Sequence, residues 1–180
     1  MSKEIHFLVS ESKKGNQRAQ MKLYDLHCEA MFVISCRYIK NREAAKDAMQ
    51  DGFLKAFFNL HSYKEATNFS GWLKTIIINT CIDILKKRKL ETVSLEHYPI
   101  QISNDDNWNF DISIAKETIL KTIDSLPQKY QLVIKLYLLE GYDHQEISEI
   151  VNIPIKTSRT QLRRAKMMLK DILKTEKYGT

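Results

Sequence analysis

The chain has 180 residues, of which 43% are hydrophobic and 28% are charged, a balance typical of folded globular proteins that excludes disorder throughout. Its formal net charge of +6 suggests a polyanionic partner. No apolar run approaches the roughly 18 residues of a membrane helix, and the first residues lack a secretory apolar core. We therefore expect a cytoplasmic protein without membrane insertion.

Charge and helix-breaking residues divide the chain into segments. Residues 1–90 hold 16 basic and 9 acidic side chains, residues 91–111 hold five acidic and no basic ones, and residues 112–180 hold 12 basic and 8 acidic ones. Only five Gly and three Pro occur, and alternating strand patterns are absent. The prediction is an all-α protein with two small helical domains, 1–90 and 112–180, joined by an acidic linker, 91–111.

Two amphipathic helices are predicted at the start of the chain. Leu8 and Val9 lie on the apolar side of the first helix, which ends near Gly15. Asn16 is a suitable N-cap for the second helix, which should run to about Tyr38. Its predicted core stripe is Ala19, Leu23, Leu26, Ala30, Val33 and Ile34.

The three cysteines are predicted to be buried, reduced thiols. Cys28, Cys36 and Cys81 are odd in number, form no CxxC motif and fall within apolar helical patterns, which argues against disulfides. His27 lies beside Cys28, but two adjacent ligands without a second pair do not make a tetrahedral zinc site. No metal site and no cofactor are predicted.

A third helix should begin after Asn41, a suitable N-cap. Its apolar side is Ala45, Ala48, Gly52, Phe53, Ala56, Phe57 and Leu60. Its polar side carries Asp47, Gln50, Asp51 and Lys55. Periodicity alone favours a solvated face here. Aspartates four residues apart would suit a metal or acid/base pair, but no His, third carboxylate or Gly-rich loop accompanies them, so catalysis is not predicted.

A polar connection, 61–68, leads into a long fourth helix that runs to about Lys89. Its predicted inward side is Phe69, Trp72, Leu73, Ile76, Ile77, Thr80, Ile84 and Leu85. The helix ends on four consecutive cations, 86–89, which is more than the helix dipole requires. Tyr63, Phe69 and Trp72 beside these and other lysines would suit single-stranded nucleic acid. By themselves, the three aromatics are interpreted as core residues.

The second domain is predicted to be a four-helix unit that ends in a helix-turn-helix. Its first helix ends before Pro127. Asp143 and Glu146 form a capping box at a later helix start, and Pro154 separates that short helix from a longer one. Two helices joined by such a turn allow the second to enter the DNA major groove.

The final helix has an apolar face and a cationic face. The apolar face is Leu162, Ala165, Leu169, Ile172 and Leu173. Residues 156–177 include eight Lys or Arg and two acids, an imbalance that favours DNA binding over a solvated structural helix. The residues placed to meet base edges are Arg159, Thr160 and Arg163. Those placed to neutralise phosphates are Lys156, Arg164 and Lys166.

The order and spacing of these pieces resemble the extracytoplasmic-function sigma factors, the small two-domain promoter-recognition subunits of bacterial RNA polymerase. In the N-terminal domain the similarity is carried by residues 15–19 (GNQRA), 44–56 (AAKDAMQDGFLKA), 69–76 (FSGWLKTI), Asn79 and Asp83. In the C-terminal domain it is carried by Leu126, Pro127, residues 139–142 (LEGY), Glu146, Ile147 and residues 157–165 (TSRTQLRRA). The resemblance covers nearly the whole chain.

The resemblance implies a role for each of these surfaces. The implied core-polymerase contacts are Asp47, Gln50, Asp51, Phe53 and Lys55. The implied minus-ten contacts, which would capture a base flipped from the non-template strand, are Tyr63, Lys64, Asn68, Trp72, Asn79, Lys86, Lys87 and Arg88. The implied minus-thirty-five contacts are Lys156, Arg159, Thr160, Arg163, Arg164 and Lys166. The acidic linker is similar to the family's segment that threads the polymerase near its active site.

The implied partners are core RNA polymerase, through its clamp and flap surfaces, and promoter DNA. Anti-sigma factors are common in the family, so one is a further candidate partner. No small-molecule substrate is expected.

Three positions depart from the family's usual pattern. Ile155 stands where Ser or Thr commonly caps the recognition helix, Ser158 replaces a usual Val, and Gln131 replaces a common Arg. Because base-reading positions vary within the family, a promoter sequence cannot be transferred from a relative.

Two alternatives to a sigma factor stay open on the residues alone. A stand-alone helix-turn-helix regulator would bind duplex DNA without polymerase, usually as a symmetric dimer on paired half-sites. A nucleic-acid enzyme would need a nucleophile and base, a phosphate loop or a metal cluster, and none is recognisable in the sequence. We therefore expect a protein without enzymatic activity.

Overall fold

The computed structural model of the protein describes residues 3–64, 68–91 and 115–178. Its helices are α1 (Lys3–Lys13), α2 (Gln17–Tyr38), α3 (Arg42–Phe58), α4 (Phe69–Glu91), α5 (Lys116–Ser125), α6 (Gln128–Leu138), α7 (His144–Val151) and α8 (Ile155–Tyr178), with a 3-10 turn at Leu60–Ser62. Every regular element in the described ranges is helical, which confirms the predicted all-α class.

The chain divides into two compact units, Met1–Glu96 with α1 to α4 and His97–Thr180 with α5 to α8. Nearly all of the predicted acidic linker, residues 92–111, lies outside the described residues. The predicted domain bounds, 1–90 and 112–180, therefore stay predictions.

Two predicted helix starts are fixed by asparagine caps. Asn16 Oδ1 accepts hydrogen bonds from the backbone N–H groups of Arg18 and Ala19 at 3.0 and 3.2 Å. Asn41 Oδ1 accepts one from Ala44 at 2.9 Å. Each cap satisfies donors that the first helical turn leaves unpaired, and both confirm the sequence prediction.

The buried face of α2 differs from the predicted stripe. Leu26 and Val33 are 56% and 52% exposed, and Ala30 is exposed as well. The buried side is Ala19, Leu23, His27, Met31, Ile34, Ser35 and Tyr38. His27 belongs to the core because Nδ1 lies 2.9 Å from a carbonyl oxygen of its own helix and Nε2 lies 2.9 Å from the Ser70 hydroxyl. Counting apolar residues alone overlooked this hydrogen-bonded histidine and misplaced the stripe.

Helix α4 is buried more widely than predicted. Ile78 and Ile82, which the predicted inward side left out, are at most 1% exposed, as is Cys81, whose burial was predicted separately, whereas Ile84 and Leu85 are half-buried. The reason is that α4 packs against both α2 and α3. A helix between two neighbours buries more of its circumference than a single apolar stripe predicts.

Helices α3 and α4 approach each other closely at Gly52. A Cβ atom added to Gly52 would lie 2.5 Å from Ile77 Cδ1 and 3.3 Å from Ile77 Cα. The flanking residues of α3 that face α4, Ala48 and Ala56, are also small and fully buried. Small side chains on α3 therefore set the separation of the two helices.

Replacing Gly52 by Leu should lower the free energy of unfolding by about 1 to 3 kcal/mol, because the added side chain would push Ile77 and the helices apart. Chemical denaturation followed by circular dichroism would measure the change. The control is Leu54→Ala, at an exposed position on the same helix. An unchanged unfolding midpoint for Gly52→Leu would contradict the close approach.

The three cysteines have different environments, although all are free thiols. Cys81 is buried, and burial raises the pKa of its thiol to about 11. Cys28 is half-buried, and Cys36 is exposed. The prediction of burial is therefore wrong for Cys36, because it rested on the misplaced stripe of α2.

A thiol reagent at about pH 8 should modify Cys36 at least about tenfold faster than Cys81, since Cys81 is inaccessible and its raised pKa leaves little thiolate. Mass spectrometry of peptides after a time course would measure both rates. Denatured protein, in which the cysteines are equally accessible, is the control. Equal rates in the native protein would contradict the described burial.

Helix α6 lies at the centre of the second unit and contacts α5, α7 and α8. The core of this unit is Ile123, Leu126, Tyr130, Val133, Ile134, Leu136, Ile147, Leu162, Ala165, Leu169 and Leu173. Lys135 is buried among them, and its ammonium pairs with the Asp124 carboxylate at 2.6 Å. This partner offsets the cost of burying the charge. Tyr137, on the same helix, is 37% exposed.

Gln131 links α5 to α6. Its Nε2 donates to the Asp124 carbonyl oxygen at 2.8 Å and also to the Leu126 carbonyl oxygen. Carbonyl groups at the end of a helix lack partners within that helix. The amide of Gln131 therefore caps the end of α5.

Candidate nucleic-acid interface

Side chains fix both ends of α7, the helix that precedes the turn into α8. Asp143 accepts hydrogen bonds from the backbone N–H groups of Gln145 and Glu146, both at 2.8 Å. The Glu146 carboxylate accepts one from the Asp143 N–H at 2.8 Å, which completes the predicted capping box. At the end of α7 the Ser148 hydroxyl donates to the Ile153 carbonyl oxygen at 2.6 Å. The direction in which α8 leaves the turn is therefore set locally.

Helix α8 buries its apolar face and leaves the predicted cations accessible. Leu162, Ala165 and Leu169 are at most 5% exposed. The exposed candidates are Lys156, Arg159 and Thr160, and the half-buried ones are Arg163, Arg164 and Lys166. The candidates for base edges and for phosphates thus lie on one helix, as contact with a major groove requires.

An open groove of about 460 Å³ runs along one side of these cations. Its lining is Lys129, Tyr130, Pro154, Lys156, Thr157, Thr160, Gln161 and Arg164. The lining includes three cations and no acid, so the groove suits a phosphate. Lys129 lies in the first turn of α6, and the prediction missed it because no sequence pattern places that turn beside α8.

The polar residues of α3 do not all lie on one surface. Asp47, Gln50 and Asp51 are exposed. Phe53 was expected with them, but it is 2% exposed and its ring centroid lies 4.7 Å from that of Tyr24. The structure therefore places Phe53 in the core of the first unit and not on the expected contact surface.

Lys55 is turned away from these acids and towards α4. Its ammonium donates a hydrogen bond to the Thr80 hydroxyl at 3.2 Å. Thr80 is the next residue after Asn79, one of the expected minus-ten contacts. The Lys55 ammonium therefore lies against α4 at Thr80.

Two exposed apolar residues continue the acidic side of α3. Asp47, Asp51, Leu54 and Phe58 follow one another at spacings of four, three and four residues, so they share one side of the helix. Leu54 and Phe58 are 56% and 83% exposed. The prediction missed both, although their helical spacing from Asp47 and Asp51 was a usable signal.

The aromatic residues near the start of α4 form an internal cluster. Tyr63 and Phe69 are 2% and 1% exposed, with ring centroids 5.5 Å apart. Trp72 is half-buried, and its ring centroid lies 5.3 Å from that of Tyr63. The Lys13 ammonium donates to the Tyr63 carbonyl oxygen at 3.2 Å. Tyr63 is therefore a core residue that supports the surface, and Trp72 is the aromatic with accessible area.

The polar minus-ten candidates surround this cluster and the helix that follows it. Lys64, Asn68 and Lys87 are exposed, Asn79 and Lys86 are half-buried, and the Arg88 side chain lies outside the described part. Asn68 Oδ1 accepts a hydrogen bond from the Ser70 N–H at 3.1 Å, at the start of α4. Asn79 Oδ1 is buried and has no hydrogen-bond partner within the described residues.

Comparison with known families gives two matches along the chain. The model of sigma-70 region 2 matches residues 23–91, and the model of sigma-70 region 4 matches residues 116–169. The ECF RNA polymerase sigma factor SigW of Bacillus subtilis (strain 168) is 31% identical over 178 residues, which is 92% of this chain and 95% of the relative. The chain belongs to the extracytoplasmic-function sigma factors.

Two further similarities extend across the chain. The ECF RNA polymerase sigma-E factor of Escherichia coli (strain K12) is 26% identical over 171 residues, 88% of each chain. The solved sigma factor RpoE, in complex with the anti-sigma factor NepR from Bartonella quintana, has a TM-score of 0.57 at 22% identity, over 86% of this chain and 96% of that one. The fold of this sigma factor is thus the fold of a solved relative.

The two family matches show which sigma region contains each of the surfaces described above. The exposed side of α3 and the start of α4 fall within the region 2 match, and α5 with most of α8 falls within the region 4 match. A regulator with only a helix-turn-helix and an unrelated sensory domain is not favoured, because the first unit also matches the sigma family.

The described residues contain no group of three or more His, Cys, Asp or Glu side chains arranged to hold a metal ion. None of the described helices combines the length and apolarity needed to cross a bilayer. Neither matched family model describes an enzyme.

Proposed function

We propose that this sigma factor binds core RNA polymerase through α3, contacts the minus-ten element around α4, and reads the minus-thirty-five element with α8. In this proposal residues 1–90 and 112–180 are the two functional domains, and the acidic segment 91–111 connects them through the polymerase. The positions of the region 2 and region 4 matches support this division. The protein acts in the cytoplasm and without covalent chemistry.

The observation that carries the proposal is that one line of α3 is acidic and then apolar, whereas the exposed side of α8 is cationic. The exposed side of α3 carries Asp47 and Asp51, and α8 carries a row of Lys and Arg. An acidic surface repels DNA, so α3 fits a basic protein surface instead. Leu54 and Phe58 continue the acidic line with exposed apolar area, which is typical of a protein contact. The clamp of core polymerase is the partner that the family supplies.

The minus-ten contacts are proposed on the side of α4 near Trp72 and Asn79. The accessible part of the Trp72 ring offers a stacking surface for an unpaired base. Asn79 is half-buried, so the accessible part of its side chain is proposed to contact a base edge. Lys55 joins this group through its position beside Thr80, and Lys64, Lys86, Lys87 and Arg88 neutralise phosphates.

The minus-thirty-five contacts are proposed on the first three turns of α8. Arg159, Thr160 and Arg163 meet base edges, and Lys156, Arg164 and Lys166 contact phosphates. The Arg guanidinium can donate two hydrogen bonds to guanine, so Arg159 and Arg163 are the residues expected to contribute most to base specificity.

We also propose an anti-sigma factor as a regulatory partner. The solved relative RpoE is in complex with an anti-sigma factor, NepR. The exposed apolar residues of α3 are a surface that such a partner would cover while it excluded core polymerase.

Replacing Asp51 by Arg should weaken binding to purified core RNA polymerase at least about tenfold, because a repulsive charge enters the proposed clamp contact. Fluorescence anisotropy of the labelled full-length protein, titrated with core polymerase, would measure the affinity. The matched control is Asp25→Arg, the same charge change at an exposed position of α2. Equal affinities for both variants and the wild type would refute the α3 interface.

Arg159→Ala and Arg163→Ala should each cost about 1 to 3 kcal/mol of promoter binding and relax the preference at one base position. The measurement is selection of duplexes from a randomised library by holoenzyme, followed by affinities for single-base variants. Lys174→Ala, at an exposed position late in α8, is the control. A loss that is uniform across all sequences would show that the Arg contacts a phosphate and not a base.

A further inference from the structure

His144 connects three helices of the second unit. It is the first residue of α7, and its Nδ1 lies 2.9 Å from the hydroxyl oxygen of Ser158 on α8. Its ring stacks on Tyr137 of α6, with centroids 5.1 Å apart and planes inclined by 27°. Ser158 is fully buried. The ring of His144 therefore has a fixed position.

The ring lies beside the cationic side of α8. Arg159 and Lys166 are seven residues apart, about two helical turns, so they lie on one line of the helix. Burial first, and then the charges of Arg159 and Lys166, lower the pKa of His144, while the Asp143 carboxylate opposes them. The Lys166 ammonium also lies 5.6 Å from the centroid of the Tyr137 ring. His144 is thus neutral near pH 7 and borders the surface proposed to bind DNA.

The hydrogen bond with Ser158 determines which ring nitrogen carries the proton. Among the described residues, the Ser158 hydroxyl has no acceptor other than His144 Nδ1. A buried hydroxyl that accepted from Nδ1 would leave its own proton unpaired, which costs free energy. The hydroxyl therefore donates to Nδ1, and the proton of the neutral ring is on Nε2. Nε2 has no protein partner within the described part of the second unit.

We propose that His144 binds a backbone phosphate of the minus-thirty-five duplex through Nε2–H, and that Ser158 is the positioning residue that holds this tautomer. The proposal rests on the proposed function of α8. In a helix-turn-helix the first helix crosses the DNA backbone while the second enters the major groove. Phosphate contacts of this kind fix the register and orientation of the protein on the duplex. Val at position 158 could not direct the ring in this way.

The contact makes promoter binding depend on pH. A phosphate beside the ring raises the pKa of His144 in the complex above its value in the free protein. Binding then takes up a proton, so the affinity increases as the pH falls through the window between the bound and the free pKa. Since one proton is involved, this increase is at most about tenfold per pH unit. The negative charge of Asp143 opposes the phosphate contact of His144, but the carboxylate of Asp143 already accepts hydrogen bonds from the N–H groups of Gln145 and Glu146.

The test measures binding of holoenzyme, assembled from the full-length protein, to a duplex selected from a randomised library by the wild type. Affinities are compared at about pH 6 and pH 8 for the wild type and for His144→Gln, Ser158→Val and His6→Gln. His6 is an exposed histidine of α1, so its variant serves as the control. We expect His144→Gln to bind about threefold to tenfold more weakly at pH 6, equally for all duplex sequences, and to lose the extra pH dependence of the wild type.

A second readout separates positioning from simple stabilisation. Nitrogen-15 NMR of the labelled wild-type protein at neutral pH should show the His144 proton on Nε2, and Ser158→Val should give a mixture of tautomers. Thermal unfolding of each variant checks that the fold is retained.

Two results would overturn the inference: a wild-type proton on Nδ1, or equal affinity and pH dependence in wild type and His144→Gln. Failure of the proposed function would give a different result from these two, because the wild-type protein would then not bind core polymerase or would select no duplex.

Discussion

The DNA-reading part of this sigma factor depends on the short turn that joins α7 to α8. Side chains hold both ends of α7: the Asp143 and Glu146 capping box at its start, and the Ser148 hydroxyl in its last turn, which donates to the Ile153 carbonyl oxygen. Asn152 supplies the left-handed residue, with φ of 58°, at which the chain turns out of α7 towards α8. Because these contacts are local, α8 keeps its direction without help from the first unit. The cations along α8 can face one DNA groove together only if the direction of the helix is fixed by such contacts.

A second constraint is the separation of charge. The chain carries a net charge of +6, yet the exposed side of α3 is acidic and then apolar. If this side of α3 met DNA, its carboxylates would have to be paired or desolvated at a cost. If it meets a basic protein surface, the same groups steer the encounter. The distribution of charge thus distinguishes what the line of Asp47, Asp51, Leu54 and Phe58 on α3 can bind from what the cationic side of α8 can bind.

The sequence predicted what is determined locally and missed what depends on neighbouring helices. The Asn16 and Asn41 caps and the Asp143 capping box need only residues close in the chain, and all three were found. The burial of Phe53 and the position of Lys129 beside α8 depend on how helices pack, and a periodic pattern on one helix does not contain that information. For the same reason the family motif did not show which side chains of α3 are accessible.

Packing between helices also explains two polar residues of the second unit. Gln131 donates to two carbonyl groups near the end of α5, so the junction of α5 and α6 has a hydrogen-bond donor at that position. Ser158 is fully buried and would be costly alone, but His144 provides its hydrogen-bond partner. A buried hydroxyl on α8 is therefore tolerable because a polar residue on α7 pairs with it. The same pair fixes the orientation of an imidazole beside the cationic side of α8.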